Sequence, residues 1–162
     1  MISIIRNFFL QKTIRSTPLR LILNAYPPFI FSRIHIMKIS EDLMHFEVRI
    51  RRSWMNKNLA SSIFGGSIFS TVDPFYPIMY WIYFHKQKKP VIVWLKEANI
   101  KYIKPAYTDL HVRFDLTELD LNEVASNLNK GNSYQKKHDI QILNNREELV
   151  ALAELIVYLK SK

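Results

Sequence analysis

Asn58 to Asp73 reads NLASSIFGGSIFSTVD, and the rest of the chain is best read as holding this stretch in place. Two of the three glycines in the protein, Gly65 and Gly66, lie side by side here. A Gly-Gly pair permits a tight bend and a close backbone approach. The run that follows, Ser67-Ile68-Phe69-Ser70-Thr71-Val72, carries no charge and predicts a buried helix, with the acid Asp73 at its far end. The first amide N–H groups of such a helix have no partner within it and carry partial positive charge. Placed beside a small oxygen, they form an oxyanion-binding pocket.

Outward from this stretch the chain reads as β-rich. Arg33–Ile39 and Leu43–Ile50 alternate as strands, with Phe46, Val48 and Ile50 on one face, and Ser40-Glu41-Asp42 is the turn between them. Before them, Pro18 opens a helix over Leu19–Ala25 that Pro27-Pro28 ends. The central helix is expected to start at Gly65 or Gly66 and run towards Phe84, kinked or restarted at Asp73-Pro74, because Pro74 and Pro77 lack an N–H. Val91–Ile103 and Thr108–Asp115 follow as strands. Asp120 and Glu123 fit a capping box for a helix over Leu121–Leu128, closed by Lys130-Gly131. Gln135–Leu143, a turn at Asn144-Asn145-Arg146, and Glu148–Lys160 complete the chain. Local propensity alone makes this last segment a helix, since it is rich in Leu, Ala and Glu.

The composition narrows the function. A chain of 162 residues that is 48% hydrophobic is expected to build one domain with a real core. It has no cysteine, which excludes disulfides, thiol nucleophiles and cysteine metal sites. The five histidines are scattered without metal-ligand spacing, so no metal site is expected. The net charge is +9, but the first forty residues hold six basic side chains and no acid. From Glu41 onward 17 basic residues face 14 acidic ones, so the body is nearly balanced, which argues against a nucleic-acid partner. The excess belongs to residues 1–17, an appendage to a domain spanning 18–162. There Ile2, Ile5 and Phe9 make one apolar side and Arg6, Lys12 and Arg15 the other. This pattern fits a membrane-surface contact or a targeting peptide, or else a helix packed on the domain or on a partner subunit. Arg6-Asn7 interrupts the apolar region, so it does not read as a secretory signal. No run in the sequence reaches transmembrane length. The expectation is a cytoplasmic protein, with a peripheral membrane contact as the variant.

The central stretch resembles the hotdog-fold thioesterases. Their motif runs Asn, two residues, Gly, two residues, His-Gly-Gly, and an acid seven residues after the last Gly. Asn58, Gly65, Gly66 and Asp73 match it; Ser61 stands in place of the first Gly and Phe64 in place of the His. The continuation FGGSIFSTVDPFYP, and later VIVWLKEANIKYIKPAY and ELIVYLK, resemble an uncharacterised branch of that superfamily. The resemblance spans roughly Pro18 to Lys160. It implies an α+β hotdog fold: a curved antiparallel sheet wrapped around a central helix, with the N-terminal helices added. It also makes Glu148–Lys160 a strand.

The resemblance further implies hydrolysis of acyl-CoA or acyl carrier protein thioesters, with no metal or organic cofactor. Backbone N–H groups at Gly65 or Gly66 would polarise the thioester carbonyl, each such donor contributing about 10²–10³ in rate. Asp73 would serve as general base or nucleophile, and Asn58 would orient water or thioester. Gly66, Phe64 and Ser67 would line the substrate site, and Lys96 would meet a coenzyme A phosphate. Phe64 in place of His makes the pocket more apolar, favouring an apolar acyl chain. Phe75, Tyr76, Met79, Tyr80 and Trp81 would line a tunnel or simply form core. Asp73 lies eight residues past Gly65, about 12 Å along a helix, so one chain does not bring both to the same carbonyl. A second, antiparallel copy does, which implies a homodimer or a dimer of dimers with composite sites. Each residue also has a structural reading: Asp73 capping a restarted helix, Asn58 in a turn, the glycines allowing close packing, and Lys96 solvated. The Ser61 and Phe64 departures and the Pro74 kink instead fit a non-catalytic binder of acyl groups or acyl-CoA, a sensor or carrier.

Overall fold

The computed structural model describes residues 14–162. The basic segment expected at 1–17 falls, up to residue 13, outside the described residues. The first helix, α1 (Ser16–Asn24), has Pro18 in its first turn, where a missing N–H costs nothing. It buries Leu19 and Leu23. Pro27-Pro28 end it as expected, but they also open a second short helix, α2 (Pro27–Ser32), because proline is equally suited to the first turn of a new helix. Arg33, with φ of 60°, closes α2 and turns the chain into the sheet.

Strands β1 (Ile34–Ile39) and β2 (His45–Ile50) pair antiparallel. In the turn between them Asp42 accepts the Met44 N–H and Ser40 Oγ accepts the His45 N–H. A single 3₁₀ turn at Trp54–Asn56 leads to the central helices, α3 (Gly65–Val72) and α4 (Phe75–Lys86), separated at Asp73-Pro74 as the prolines predict. Strands β3 (Val91–Tyr102) and β4 (Leu110–Asp115), helix α5 (Glu118–Lys130), and strands β5 (Ser133–Asn144) and β6 (Leu149–Ser161) follow. The capping box of α5 lies one turn earlier than the sequence suggested. Thr117 Oγ1 accepts the Asp120 N–H and the Asp120 carboxylate accepts the Thr117 N–H, so Asp120 is the reaching residue and not the cap.

The six strands form one antiparallel sheet in the order β1-β2-β4-β5-β6-β3. One face of each strand is apolar and joins one core with the helices. Phe46, Val48 and Ile50 come from β2; Leu110, Val112 and Phe114 from β4; Leu155, Val157 and Leu159 from β6. Phe75 of α4 sits among Phe29, Phe46 and Phe114, with ring centroids 5.6, 6.0 and 4.7 Å away. β6 is a strand despite its helical composition. Every second residue from Ala151 to Leu159 is buried, and the strand is paired on both sides, so sheet packing overrides propensity.

The two edges of the sheet are treated differently. At β1 the Asn24 amide both accepts the Ile36 N–H (2.8 Å) and donates to the Ile36 carbonyl (3.0 Å), and α1 lies alongside. At the other edge β3 runs twelve residues with its outer side unpaired among the described residues, and Ile92, Trp94 and Tyr102 on it are exposed. A long open edge invites another strand.

Candidate active site

The loop before α3 is built to deliver the two glycines. Buried Asn56 accepts the Ser53 N–H and donates to the carbonyls of Arg51 and Ser32. Its own carbonyl accepts the Phe64 N–H at 2.7 Å. Ile63 N–H donates to the Ala106 carbonyl. Phe64 therefore arrives at the helix start with extended backbone and supplies no side-chain cap. The N–H groups of Gly65 and Gly66 have no protein acceptor among the described residues, while Ser67 N–H turns back to the Phe64 carbonyl. Two uncapped donors at the positive end of a helix form an electrophilic corner for an oxygen.

The glycines serve close approach of side chains and not a left-handed turn, since neither has a positive φ. A Cβ at Gly66 would fall 2.2 Å from Phe64 Cε1. A Cβ at Gly65 would fall 3.2 Å from Tyr102 Oη, the hydroxyl that donates to the Gly65 carbonyl at 3.0 Å. Phe64 and Tyr102 thus flank the helix start, and both are about half exposed. Left-handed backbone occurs instead at Ser61, with φ of 60°. That is the position where Ser replaces the glycine of the thioesterase motif.

Asp73 ends α3 and is exposed on the single chain. It makes no hydrogen bond to the first turn of α4, whose cap is Pro74 without a side-chain bond, so it does not serve as a side-chain cap for the restarted helix. Neighbouring groups nevertheless desolvate its carboxyl enough to hold it above the ordinary aspartate range. Gly65, Phe69 and Asp73 are spaced i, i+4, i+8 and make one solvent-facing row on α3, while Ser67, Ile68, Thr71 and Val72 are buried.

The Asn58 side chain is committed within its own loop. Its Oδ1 accepts the Ser62 N–H (3.1 Å), its Nδ2 donates to Ser62 Oγ (2.8 Å), and its N–H donates to the Ser62 carbonyl (2.8 Å). This is the turn arrangement, and it shapes the loop before the helix start. Lys96 occupies the bulge between Leu95 and Glu97 on β3, where its Nζ donates to Gln135 Oε1 at 3.1 Å. On a single chain Phe64, Gly65, Gly66 and Ser67 gather at the helix start and Asp73 lies at the other end of α3, while Asn58 and Lys96 are each engaged by a polar neighbour. Phe75, Tyr76, Met79 and Tyr80 are buried in the core, and Trp81 stacks on His85.

One constellation was not anticipated. β4 and β5 pair only from Leu110 to Val112 and then part. A crevice of about 810 Å³ lies between them, lined by Arg113, Asp115, Asp139 and Gln141, with Tyr76 beneath. Behind Tyr76, His138 is buried, stacked on the Tyr76 ring at 3.7 Å, with its Nε2 3.0 Å from Tyr80 Oη. Burial lowers the His138 pKa to about 4 and raises that of Tyr76 to about 12. The available signal was the i, i+4 spacing of Tyr76 and Tyr80 together with His138 on the inward-facing set of β5.

The sheet order and the central helix define a hotdog fold. The chain belongs to the family described as a domain of unknown function, DUF4442, which it matches over residues 16–159. A protein of unknown function from Pseudomonas aeruginosa, described as a probable thioesterase, superposes with a TM-score of 0.74. It is 16% identical, over 90% of this chain and 96% of that one. A protein of unknown function from Chlorobaculum tepidum gives 0.71 at 15% identity, over 90% and 94%. A thioesterase from Haemophilus influenzae gives 0.65 at 13% identity, over 92% of both chains. At these identities the likeness shows the fold. No curated protein matches the sequence.

Proposed function

We propose that the protein is an acyl-thioesterase-like hydrolase of acyl-CoA or acyl carrier protein thioesters, working as a homodimer with composite sites. The observation that carries this reading is the row Gly65–Phe69–Asp73. It has an uncapped pair of N–H donors at one end and a desolvated, unpaired carboxyl at the other. The two ends are about 12 Å apart along one helix, too far for one carbonyl. Two copies of α3 crossing antiparallel at Phe69 set each Asp73 against the other chain's Gly65 and Gly66, and such an interface is self-complementary. The open edge of β3 supports the same pairing, since a second β3 would satisfy it.

In this arrangement Gly65 and Gly66 N–H groups polarise the thioester carbonyl. Asp73 of the other chain takes a proton from the attacking water, or attacks the carbonyl itself. Phe64 and Phe69, both substantially exposed, give an apolar lining suited to an acyl chain. The reading is tested by incubating purified protein with acyl-CoA and acyl carrier protein thioesters of varied chain length while following free thiol. Thiol release that Asp73→Asn abolishes supports it, and release unchanged in that variant removes Asp73 from the mechanism.

Two observations favour a second reading. The Asn58 amide is engaged by Ser62, and an apolar Phe64 stands where the motif has a titratable residue. Both fit a site that binds acyl groups without turnover. Tight binding of acyl-CoA with no thiol release decides for that alternative.

A further inference from the structure

The end of the molecule built from α2, the 3₁₀ turn and the loop that follows it is both apolar and basic. Trp54, in the 3₁₀ turn, is 84% exposed, and Leu59, in the loop after it, is fully so. Phe31 on α2 is 67% exposed, and Met55 is also exposed. Their segments are joined to one another. α2 packs against the 3₁₀ turn, and Asn56, next to Met55, donates to the carbonyl of Ser32, next to Phe31. The Arg51 N–H donates to the Arg33 carbonyl, which joins the two segments again. The loop is held in shape, because Arg52 donates to the Ser61 carbonyl at 2.7 Å and Lys57 bridges to Ile63.

The charge of this surface has one sign. From Arg51 to Val72 the chain has three basic residues and no acid, and from Arg15 to Ser40 it again has no acid. Arg33, Arg51 and Lys57 make no ion pair among the described residues. Asp109 reaches the region but is committed elsewhere: it accepts the Arg52 N–H and pairs with Arg49. Exposed Trp and aliphatic side chains on a segment whose cations form no ion pair are the pattern of an interfacial membrane anchor. The rings and methyls enter the acyl boundary while the guanidinium and ammonium groups meet lipid phosphates. No helix among the described residues is long and apolar enough to cross a membrane, so the contact is with one leaflet.

We infer that this face docks the folded domain onto an anionic lipid bilayer. Trp54 and Leu59 insert at the headgroup boundary, and Arg51 and Lys57 bind lipid phosphate. The assignment is independent of the thioesterase reading and of residues 1–13, because every group it uses lies in the folded body.

The test is co-sedimentation of the full chain with vesicles of phosphatidylcholine alone and of phosphatidylcholine mixed with phosphatidylglycerol. Wild type is compared with Trp54→Ser/Leu59→Ser and with Arg51→Glu/Lys57→Glu. All four positions are exposed, so both variants keep the fold, which circular dichroism verifies. Binding to the anionic vesicles that falls more than about tenfold in each variant is the expected result. Wild-type binding retained in the Trp54→Ser/Leu59→Ser variant overturns the inference. So does a dimer that this variant converts to monomer, which would make the face a subunit interface. Equal affinity of wild type for a single-stranded oligonucleotide at the same ionic strength overturns it as well.

Discussion

Helices α3 and α4 are both apolar in sequence and meet at a single proline, yet they stand differently towards solvent. In α4 the side chains of Phe75, Tyr76, Met79, Tyr80, Ile82 and Phe84 are all buried, and even the polar atoms of Tyr80 and His138 have found each other. In α3 half the helix is finished and half is not. Ile68 and Val72 are core, while Phe69 is 45% exposed and lies between two unsatisfied donors and an unpaired carboxyl. A helix completed within one chain contributes stability. A helix left incomplete by its own chain is where a second molecule, substrate or subunit, has something to satisfy.

The largest effect expected from this contrast is on turnover. Asp73→Asn keeps the shape of the side chain and removes its basicity, so thioester hydrolysis falls by about 10²–10⁴ with no loss of melting temperature. Since the Asp73 carboxyl titrates above the ordinary range, activity rises with pH through that raised value and is lost below it. On the other side of the comparison, Phe75→Ala removes the ring packed among Phe29, Phe46 and Phe114. It costs about 3–5 kcal/mol of stability in a denaturant titration and leaves kcat per folded molecule unchanged. If Phe75→Ala silenced the folded enzyme, the separation of roles between the two helices would be lost.

His138 gives an intermediate effect. It is neutral in the folded protein because burial lowers its pKa to about 4, whereas the unfolded chain protonates it near its ordinary value. The unfolded state therefore binds more protons as pH falls between those values, and stability falls with it by an amount on the order of 3 kcal/mol. Urea melts of His138→Gln across that range are expected to show a flatter acid limb than wild type. The smallest effect is at Ser61, where a side chain is held at φ of 60°. Ser61→Gly relieves this and raises stability by up to about 1 kcal/mol in the same assay.

Much of this architecture was readable in the chain, and for reasons that can be named. The break at Asp73-Pro74 was visible because proline removes an N–H wherever it falls. Strand β2 was visible because only one of its faces is buried. β6 was visible only through resemblance, since its Leu, Ala and Glu content favours a helix and its two-sided pairing is a property of the assembled sheet. The pair Thr117 and Asp120 was missed in favour of Asp120 and Glu123 because several acids near the helix start offer competing registers. At the site, the spacing located the helix start and the acid, and also the distance between them. The commitment of Asn58 to Ser62 and the ring of Phe64 lying over Gly66 depend on loop geometry that spacing does not encode. The parting of β4 and β5 over Tyr76 and His138 is likewise a tertiary feature.

The account depends on Asp73 acting across a subunit boundary, and subunit mixing tests that most directly. Asp73→Asn lacks the base, and Gly66→Val drives a side chain into Phe64 at the helix start, so each variant alone is expected to be inactive. When the two are unfolded together and refolded as mixed dimers, each heterodimer regains one intact site, and hydrolysis returns to about a quarter of the wild-type level. No recovery on mixing, or a protein that sediments as a monomer while hydrolysing thioesters, would contradict the composite site.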